Sequence, residues 1–231
     1  MEQKTIKCWH DLANLADEFK LKNWIFRGVE DSTYELVPKV GRSDSRKNLD
    51  GSHAGYSAEA ETLTIDRFQR EARPHLGIEP RSNLDWLSIA QHHGLPTRLL
   101  DWSESPLVAA YFALRPAGIL GGERKDAAIY GHPALPIVKT DEDCKKVGNE
   151  VFAYYPQHLT PRITAQRGLF TYHEKPEQPF ISERLVKWII PSLICFDLKL
   201  AVSKCGINEA SMFPDLDGLA KHVGWLHKWS L

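Results

Sequence analysis

The sequence lacks most of the features that assign a protein to a class at once. It has few cysteines, and none forms a CxxC pair or a zinc-binding cluster with histidine: Cys8, Cys144, Cys195 and Cys205. No apolar run approaches the roughly 20 residues that span a bilayer, and the first residues, MEQKTIKCWHDL, lack the apolar core of a secretion signal. These absences predict reduced thiols, no metal, no membrane association and a cytoplasmic location.

Excess charge and common nucleotide or hydrolase motifs are also absent. The formal net charge of −1 argues against a protein that coats nucleic acid, although a local basic face remains open. The chain has no GxxxxGK[ST], no GxGxxG after a strand, no GxSxG and no HExxH, which disfavours P-loop, Rossmann, hydrolase and zinc-protease classes. The 231 residues, 42% of them hydrophobic, are enough to bury a sizeable core.

The apolar spacing that is present predicts both helices and strands. Helical patterns lie near both ends and over residues 58–73 and 83–92, and Leu216, Leu219 and Val223 share one face of the last helix. Short β-rich runs cover residues 24–26, 98–100, 127–130, 151–155 and 185–190. Without regular βαβ alternation, this order predicts an α+β fold: one domain with a central mixed or antiparallel sheet flanked by helices. The polar, glycine-rich residues 41–57 are predicted to form a mobile loop.

The segment 91–114, QHHGLPTRLLDWSESPLVAAYFAL, is unusually dense in polar side chains for a plain core. Two histidines lie on the last turn of the helix 83–92, where the helix dipole stabilises a cation by about 0.3 to 1 kcal/mol. A structural role therefore suffices for His93, whereas His92 stays open. Ser103 or Ser105 is expected to cap the following helix, with Pro106 at its first position.

Arg27 is the candidate anchor for an anionic ligand. The β-rich run before it stops at Arg27-Gly28, so the arginine is expected at the C-terminal end of a buried strand, where the glycine permits a turn or a close approach. Its planar guanidinium suits phosphate or carboxylate. The alternative is a buried salt bridge with Asp101, a residue that is equally suited to orient a histidine or to pair with Arg98. Trp102 is suited to stack on a base, but a core position is the commoner role.

Three segments together resemble the FRG domain family. They are the naming triplet Phe26-Arg27-Gly28, the dense segment 91–114, and residues 165–170 with the sequence AQRGLF. The resemblance implies a single FRG domain over residues 1–231. Because many FRG proteins occur in bacterial and prophage contexts, it also implies a role in toxin activity or phage defence.

Residues 103–113, SESPLVAAYFA, are similar to the second motif of ADP-ribosyltransferases, in which a Ser-x-Ser turn leads into a helix. The resemblance implies an ADP-ribosyltransferase-like core, NAD as substrate, and a macromolecular target, either protein or nucleic acid. In this scheme Arg27 anchors the pyrophosphate or ribose and Ser103 shapes the nicotinamide pocket. Gln166 stands where such enzymes carry a late glutamate, and a neutral amide bonds a hydroxyl without stabilising a developing cation by charge.

The predicted site combines these residues. The catalytic candidates are Arg27, Ser103 and Gln166, and the cofactor-binding candidates are Arg27, His92, Thr97, Arg98, Asp101, Trp102 and Ser105. We expect Arg27, Asp101, Ser103 and Gln166 to converge, because polar motifs that border strands gather at a sheet edge. Two alternatives stay open: a non-catalytic module that binds a nucleotide, nucleic acid or protein, and a metal-independent nuclease that uses His92, His93 and Arg98.

Overall fold

The structure, a computed structural model, describes residues 1–77, 79–117, 125–143, 151–156 and 164–230. It confirms the α+β class. Its strands are β1 (Glu2–Thr5), β2 (Trp24–Val29), β3 (Leu99–Ser103), β4 (Ala127–Pro133), β5 (Ile137–Val138), β6 (Phe152–Tyr154), β7 (Gly168–Tyr172) and β8 (Val186–Ile190). Its described α-helices are α1 (Trp9–Glu18), α2 (Ala58–Ala72), α3 (Asn83–His92), α4 (Pro106–Ala113), α5 (Cys195–Lys204), α6 (Glu209–Met212) and α7 (Leu216–Trp229). None of these helices has the length and apolar character that crossing a bilayer demands.

The described strands form one mixed sheet in the order β1-β8-β4-β2-β3-β7-β6-β5. The pairs β1–β8 and β5–β6 are parallel, and the other neighbours are antiparallel. The four central strands come from both halves of the chain: β4, β2, β3 and β7. This arrangement brings the polar motifs around residues 27, 101 and 166 to one region.

Successive residues of β2 face opposite sides of the sheet, as the pleat requires. Phe26 belongs to a buried cluster that includes side chains of α1, α4 and α5, whereas Ile25 belongs to a second cluster with Leu100 and Trp102. A third cluster joins Leu99 of β3 to α3 and β6. Helices α3 and α4 are therefore both anchored to the sheet next to β3.

Local capping explains why two helices begin where the sequence predicts. The Ser82 hydroxyl accepts a hydrogen bond from the Asp85 backbone N–H at the start of α3, and Gly94 beyond its end has φ +89°. Ser105 caps α4 by accepting from the Val108 N–H, and Pro106 takes the first helical position. Within residues 41–57, Lys47 and His53 form an isolated β-bridge, and the mobility of this segment stays a prediction.

Candidate functional site

A cavity of about 320 Å³ lies where the end of α3 and the helix α4 meet strands β2, β3 and β7. Its size is within the range of small-ligand pockets. Its polar and charged lining residues are Arg27, Lys39, Gln91, His92, Asp101, Ser103, Arg115 and Gln166. The four residues that the sequence predicts to converge, Arg27, Asp101, Ser103 and Gln166, all line it. We call this cavity the Arg27 pocket.

The pocket opens where β2 and β3 separate. The antiparallel β-sheet pairing of these two strands places Phe26 opposite Ser103. Beyond that pair the Arg27 guanidinium donates to the Asp101 backbone carbonyl, with Nη1 and O 2.6 Å apart. The side chain thus bridges the two strands, and its charged group borders the cavity.

Arg27 is paired with Asp101 but not enclosed by it. Nη1 lies 3.3 Å from Asp101 Oδ2, and the side chains are 16% and 58% exposed, so the carboxylate remains largely in solvent. The other N–H groups of Arg27 have no hydrogen-bond partner among the described residues. Burial lowers the pKa of Arg27, and the charge of Asp101 acts in the opposite direction. A guanidinium remains protonated under such conditions, so the pocket holds a permanent cation with donors that no described residue engages.

The prediction that Arg27 ends its strand is wrong. Strand β2 continues to Val29, and its pairing with β4 extends to Val29 opposite Ala128. Helix α4 packs so close to β2 that position 28 has no room for a side chain. A Cβ atom there would lie 2.7 Å from the Ala113 backbone nitrogen and closer still to the Ala109 carbonyl oxygen. The close approach that this glycine permits is that of α4, so Gly28 gives no evidence for a ligand.

A hydrogen bond from the Ser103 side chain to the Gln166 backbone joins these two residues. The Ser103 hydroxyl donates to the Gln166 carbonyl at 2.8 Å and accepts from the Ser105 N–H at 3.1 Å. The Gln166 side-chain amide donates from Nε2 to the Met212 carbonyl at 3.1 Å. This bond fixes the amide and leaves Oε1 as an acceptor without a described partner. The pair can therefore orient a hydroxyl group of a ligand.

Arg98 lies outside the pocket. It forms a two-pronged ion pair with Glu61 of α2, from Nε to Oε1 at 2.9 Å and from Nη2 to Oε2 at 2.7 Å. It also donates to the hydroxyls of Tyr56 and Tyr172. These contacts attach α2 and the segment before it to β7. The geometry therefore gives Arg98 a structural role and offers no route to a ligand in the Arg27 pocket.

Three other predicted residues act mainly through protein contacts. Thr97 is buried outside the pocket and donates to Gln91 Oε1 at 2.8 Å, and Ser105 caps α4. Trp102 borders the pocket but is 3% exposed, and its indole N–H donates to Thr171 Oγ1 at 2.9 Å. Its core position leaves little surface on which a base could stack.

The two adjacent histidines differ in position. His92 lines the pocket, whereas His93 is exposed and does not line it. Their ring centroids are 5.0 Å apart in an edge-to-face arrangement. Arg98 is bound to Glu61, so among the three residues of the nuclease hypothesis the described lining of the Arg27 pocket contains His92 but neither His93 nor Arg98.

Sequence reasoning missed three polar lining residues. Gln91 donates from Nε2 to Asp101 Oδ2 at 3.0 Å, and Lys39 donates to the Gly94 carbonyl at 2.9 Å. Arg115 enters from the turn after α4. Gln91 was detectable because it shares the last turn of α3 with His92. The positions of the other two depend on loop paths that no local pattern encodes.

With these residues, the described lining of the pocket carries three basic side chains and one carboxylate, Asp101. Such an excess of positive charge in a cleft favours an anionic ligand. No group of three or more metal-binding side chains occurs among the residues that the structure describes.

Comparison with known protein families matches residues 22–118 to the FRG domain. The matched part includes β2, α3, β3 and α4. The match supports the predicted FRG resemblance for residues 22–118. The FRG match contains every lining residue named above except Gln166, and the single-domain prediction for residues 1–231 stays a prediction. No curated protein and no solved structure matches the chain.

Proposed function

We propose that the Arg27 pocket of this FRG domain binds NAD and that the protein transfers ADP-ribose from NAD to a macromolecule. The observation that carries the proposal is the Arg27 guanidinium, which is paired through one nitrogen and presents its other donors at a cationic cavity. A pyrophosphate accepts several such hydrogen bonds at once, and the charge-assisted contact is stronger than one between neutral groups.

The remaining lining residues support a division of roles. Lys39 and Arg115 add positive charge for the phosphates, and Oε1 of Gln166 is available to a ribose hydroxyl. In the transfer, the bond between ribose C1′ and the nicotinamide nitrogen breaks, and nicotinamide leaves with the bonding electrons. The target's nucleophile then bonds to C1′ and releases its proton. Asp101 is the one described carboxylate of the pocket and supplies the negative charge that stabilises the oxocarbenium ion.

A second candidate function is nucleotide binding without reaction. It is favoured by the ion pair with Arg27, which offsets the charge of Asp101, by the hydrogen bond that Gln91 donates to the same carboxylate, and by the neutral amide at Gln166. A pocket of this kind retains phosphate affinity while lacking the full charge that the cleavage step needs. The two functions therefore differ in nicotinamide release rather than in NAD binding.

Calorimetry with NAD tests the proposal. Wild type is expected to bind with a dissociation constant of about 1 mM or below, and Arg27→Ala to bind at least tenfold more weakly, roughly 1.4 kcal/mol. Arg67→Ala is the matched control, because Arg67 is an exposed arginine of α2 and should leave NAD affinity unchanged. Absence of binding at millimolar NAD, or equal affinity in the Arg27 variant, would refute the proposal.

Release of nicotinamide then separates the two candidates. Incubation of wild type with NAD and a bacterial extract should release nicotinamide and label a macromolecule, and Arg27→Ala should not. Binding without release establishes the non-catalytic function instead. The proposal includes a cytoplasmic role in toxin activity or phage defence, so growth or phage sensitivity of bacteria expressing the chain should change, and Arg27→Ala should abolish that change.

A further inference from the structure

A second cavity of about 540 Å³ lies beside the C-terminal end of α4. It is bordered by the end of α4, by α5, by the start of α6 and by α7. Its charged lining residues are Glu30, Arg115, Lys199, Glu209, Lys221 and Lys228. Four cations and two carboxylates give its described lining a net charge of +2 when His222 is neutral. An anion of about two charges complements this surface.

Lys199 lies at the centre of this arrangement. Its ammonium donates to the backbone carbonyls of Arg115, at 2.6 Å, and Ala117, at 2.9 Å. No carboxylate of a described residue lies within 4.0 Å of it. An ammonium has three donors, so one remains available. Burial, together with the charge of Arg115, lowers the pKa of Lys199 to about 8, while the charges of Glu209 and Glu30 act in the opposite direction.

The carboxylates of the cavity offset the burial of the Lys199 charge only in part. Glu209 accepts a hydrogen bond from the Tyr111 hydroxyl and lies 3.5 Å from the Arg115 guanidinium, so its charge is already engaged. Glu30 is exposed at the end of β2. A bound anion would therefore add the opposite charge that Lys199 lacks.

Polar side chains of Tyr111, Ser203, Asn208 and His222 also line the cavity. Its apolar wall includes Leu114, which directly follows α4, Val202 of α5 and Trp225 of α7. The Lys199 ammonium lies 5.4 Å from the centre of the Trp225 ring. Lys221, Trp225 and Lys228 follow at i, i+4 and i+7, so they share one face of α7. The cavity thus combines a cationic end with an apolar wall.

We propose that this second cavity binds a small molecule that carries a phosphate monoester on an apolar or aromatic body, with Lys199 as its central anchor. A phosphate monoester has a charge of about −1.5 to −2 at neutral pH, which matches the net charge of the lining. The volume accommodates a ligand of mononucleotide size. The site is independent of the proposed NAD function, although Arg115 lines both cavities.

Phenyl phosphate is the probe, because it has an aromatic body, one phosphate and no ribose. Calorimetry should give a dissociation constant of a few millimolar or below for wild type, and phenol should bind at least tenfold more weakly. The Lys221→Glu/Lys228→Glu double variant should also lose at least tenfold in affinity. These two side chains are exposed, so their reversal should leave the fold intact. Lys204→Glu is the matched control, because Lys204 ends α5 outside the cavity lining and should bind as wild type.

Lys199→Met tests the anchor itself and should reduce affinity tenfold or more while the protein melts near the wild-type temperature. Arg27→Ala should bind phenyl phosphate as wild type, which locates the probe in the second cavity rather than the Arg27 pocket. Arg115 is unsuitable for substitution because it lines both cavities. Unchanged affinity in the double variant, equal affinity for phenol, or loss of binding in Arg27→Ala would overturn the proposal.

Discussion

Replacement of Arg98 by methionine is expected to destabilise the protein strongly and to leave the Arg27 pocket intact. Arg98 is 17% exposed and its partner Glu61 is 4% exposed. Methionine retains most of the aliphatic stem but removes every donor. The Glu61 carboxylate would then remain buried with the Tyr56 hydroxyl as its described donor.

The size of the effect follows from burial of the unpaired charge. Breaking a buried ion pair by removing one partner costs about 3 to 5 kcal/mol. For a chain of this length each kcal/mol lowers the melting temperature by about 2 to 4 °C, so Arg98→Met should melt roughly 6 to 20 °C below wild type. The matched control is Arg67→Met, because Arg67 and Glu71 also form an ion pair on α2 but are 73% and 67% exposed. An exposed helix pair contributes about 0.3 to 0.5 kcal/mol, so this control should melt within about 2 °C of wild type.

Thermal melting followed by circular dichroism checks this expectation, and calorimetry with NAD below the melting transition checks the site. Replacing both partners, as in Arg98→Met/Glu61→Leu, should recover much of the lost stability, because no buried charge is then left unpaired. The reasoning fails if Arg98→Met melts like the Arg67 control. A tenfold loss of NAD affinity in folded Arg98→Met would instead support its predicted cofactor-binding role.

Three further changes test the strand that carries Arg27 and the sheet around it. Arg27→Lys should melt within a few degrees of wild type yet bind NAD at least tenfold more weakly, about 1.4 kcal/mol. The reason is that lysine keeps the charge and loses the guanidinium's planar set of donors. A melting temperature many degrees lower would make Arg27 a structural residue. Gly28→Ala should lower the free energy of unfolding by about 3 kcal/mol or more in a urea titration, because the added methyl group meets the backbone of α4. A urea midpoint equal to that of wild type would contradict this contact. His173 is buried and its pKa is lowered to about 4, mainly by burial and also by the charge of Arg27. The unfolded chain therefore takes up more protons than the folded one as pH falls from 6.5 to 4, so His173 should lower stability by about 2 kcal/mol between pH 7.5 and pH 5. His173→Gln should reduce this dependence, and an unchanged pH profile would exclude His173 as its source.

Features encoded by neighbouring residues could be predicted from the sequence. Helix α3 begins and ends at the predicted residues because Ser82 and Gly94 lie at its two ends. The same local chemistry predicts Pro106 at the first position of α4 and either Ser103 or Ser105 as its cap, and in the structure the cap is Ser105. The convergence of the polar motifs was also predictable, since several of them border strands that became neighbours in one sheet.

Features that depend on distant packing could not be predicted. Strand β1 has four exposed residues and no β-rich pattern, and it exists because it pairs with β8 near the other end of the chain. In α7 the periodicity correctly indicates a helix, yet Leu216 and Val223 of its apolar stripe are exposed. Spacing identifies which residues share a face. It does not say which other element covers that face.

The triplet Phe26-Arg27-Gly28 shows why stability and function are difficult to separate in this domain. Phe26 lies in the core cluster, Arg27 bridges β2 to β3 at the pocket, and Gly28 allows α4 to contact the strand. Helix α4 in turn contributes Phe112 to the pocket wall. A side chain at position 28 would displace α4 and with it that wall, even though position 28 need not touch the ligand. A loss of binding in a Gly28 variant is therefore evidence about helix position, whereas Arg27→Lys, which changes the donors alone, is evidence about the ligand.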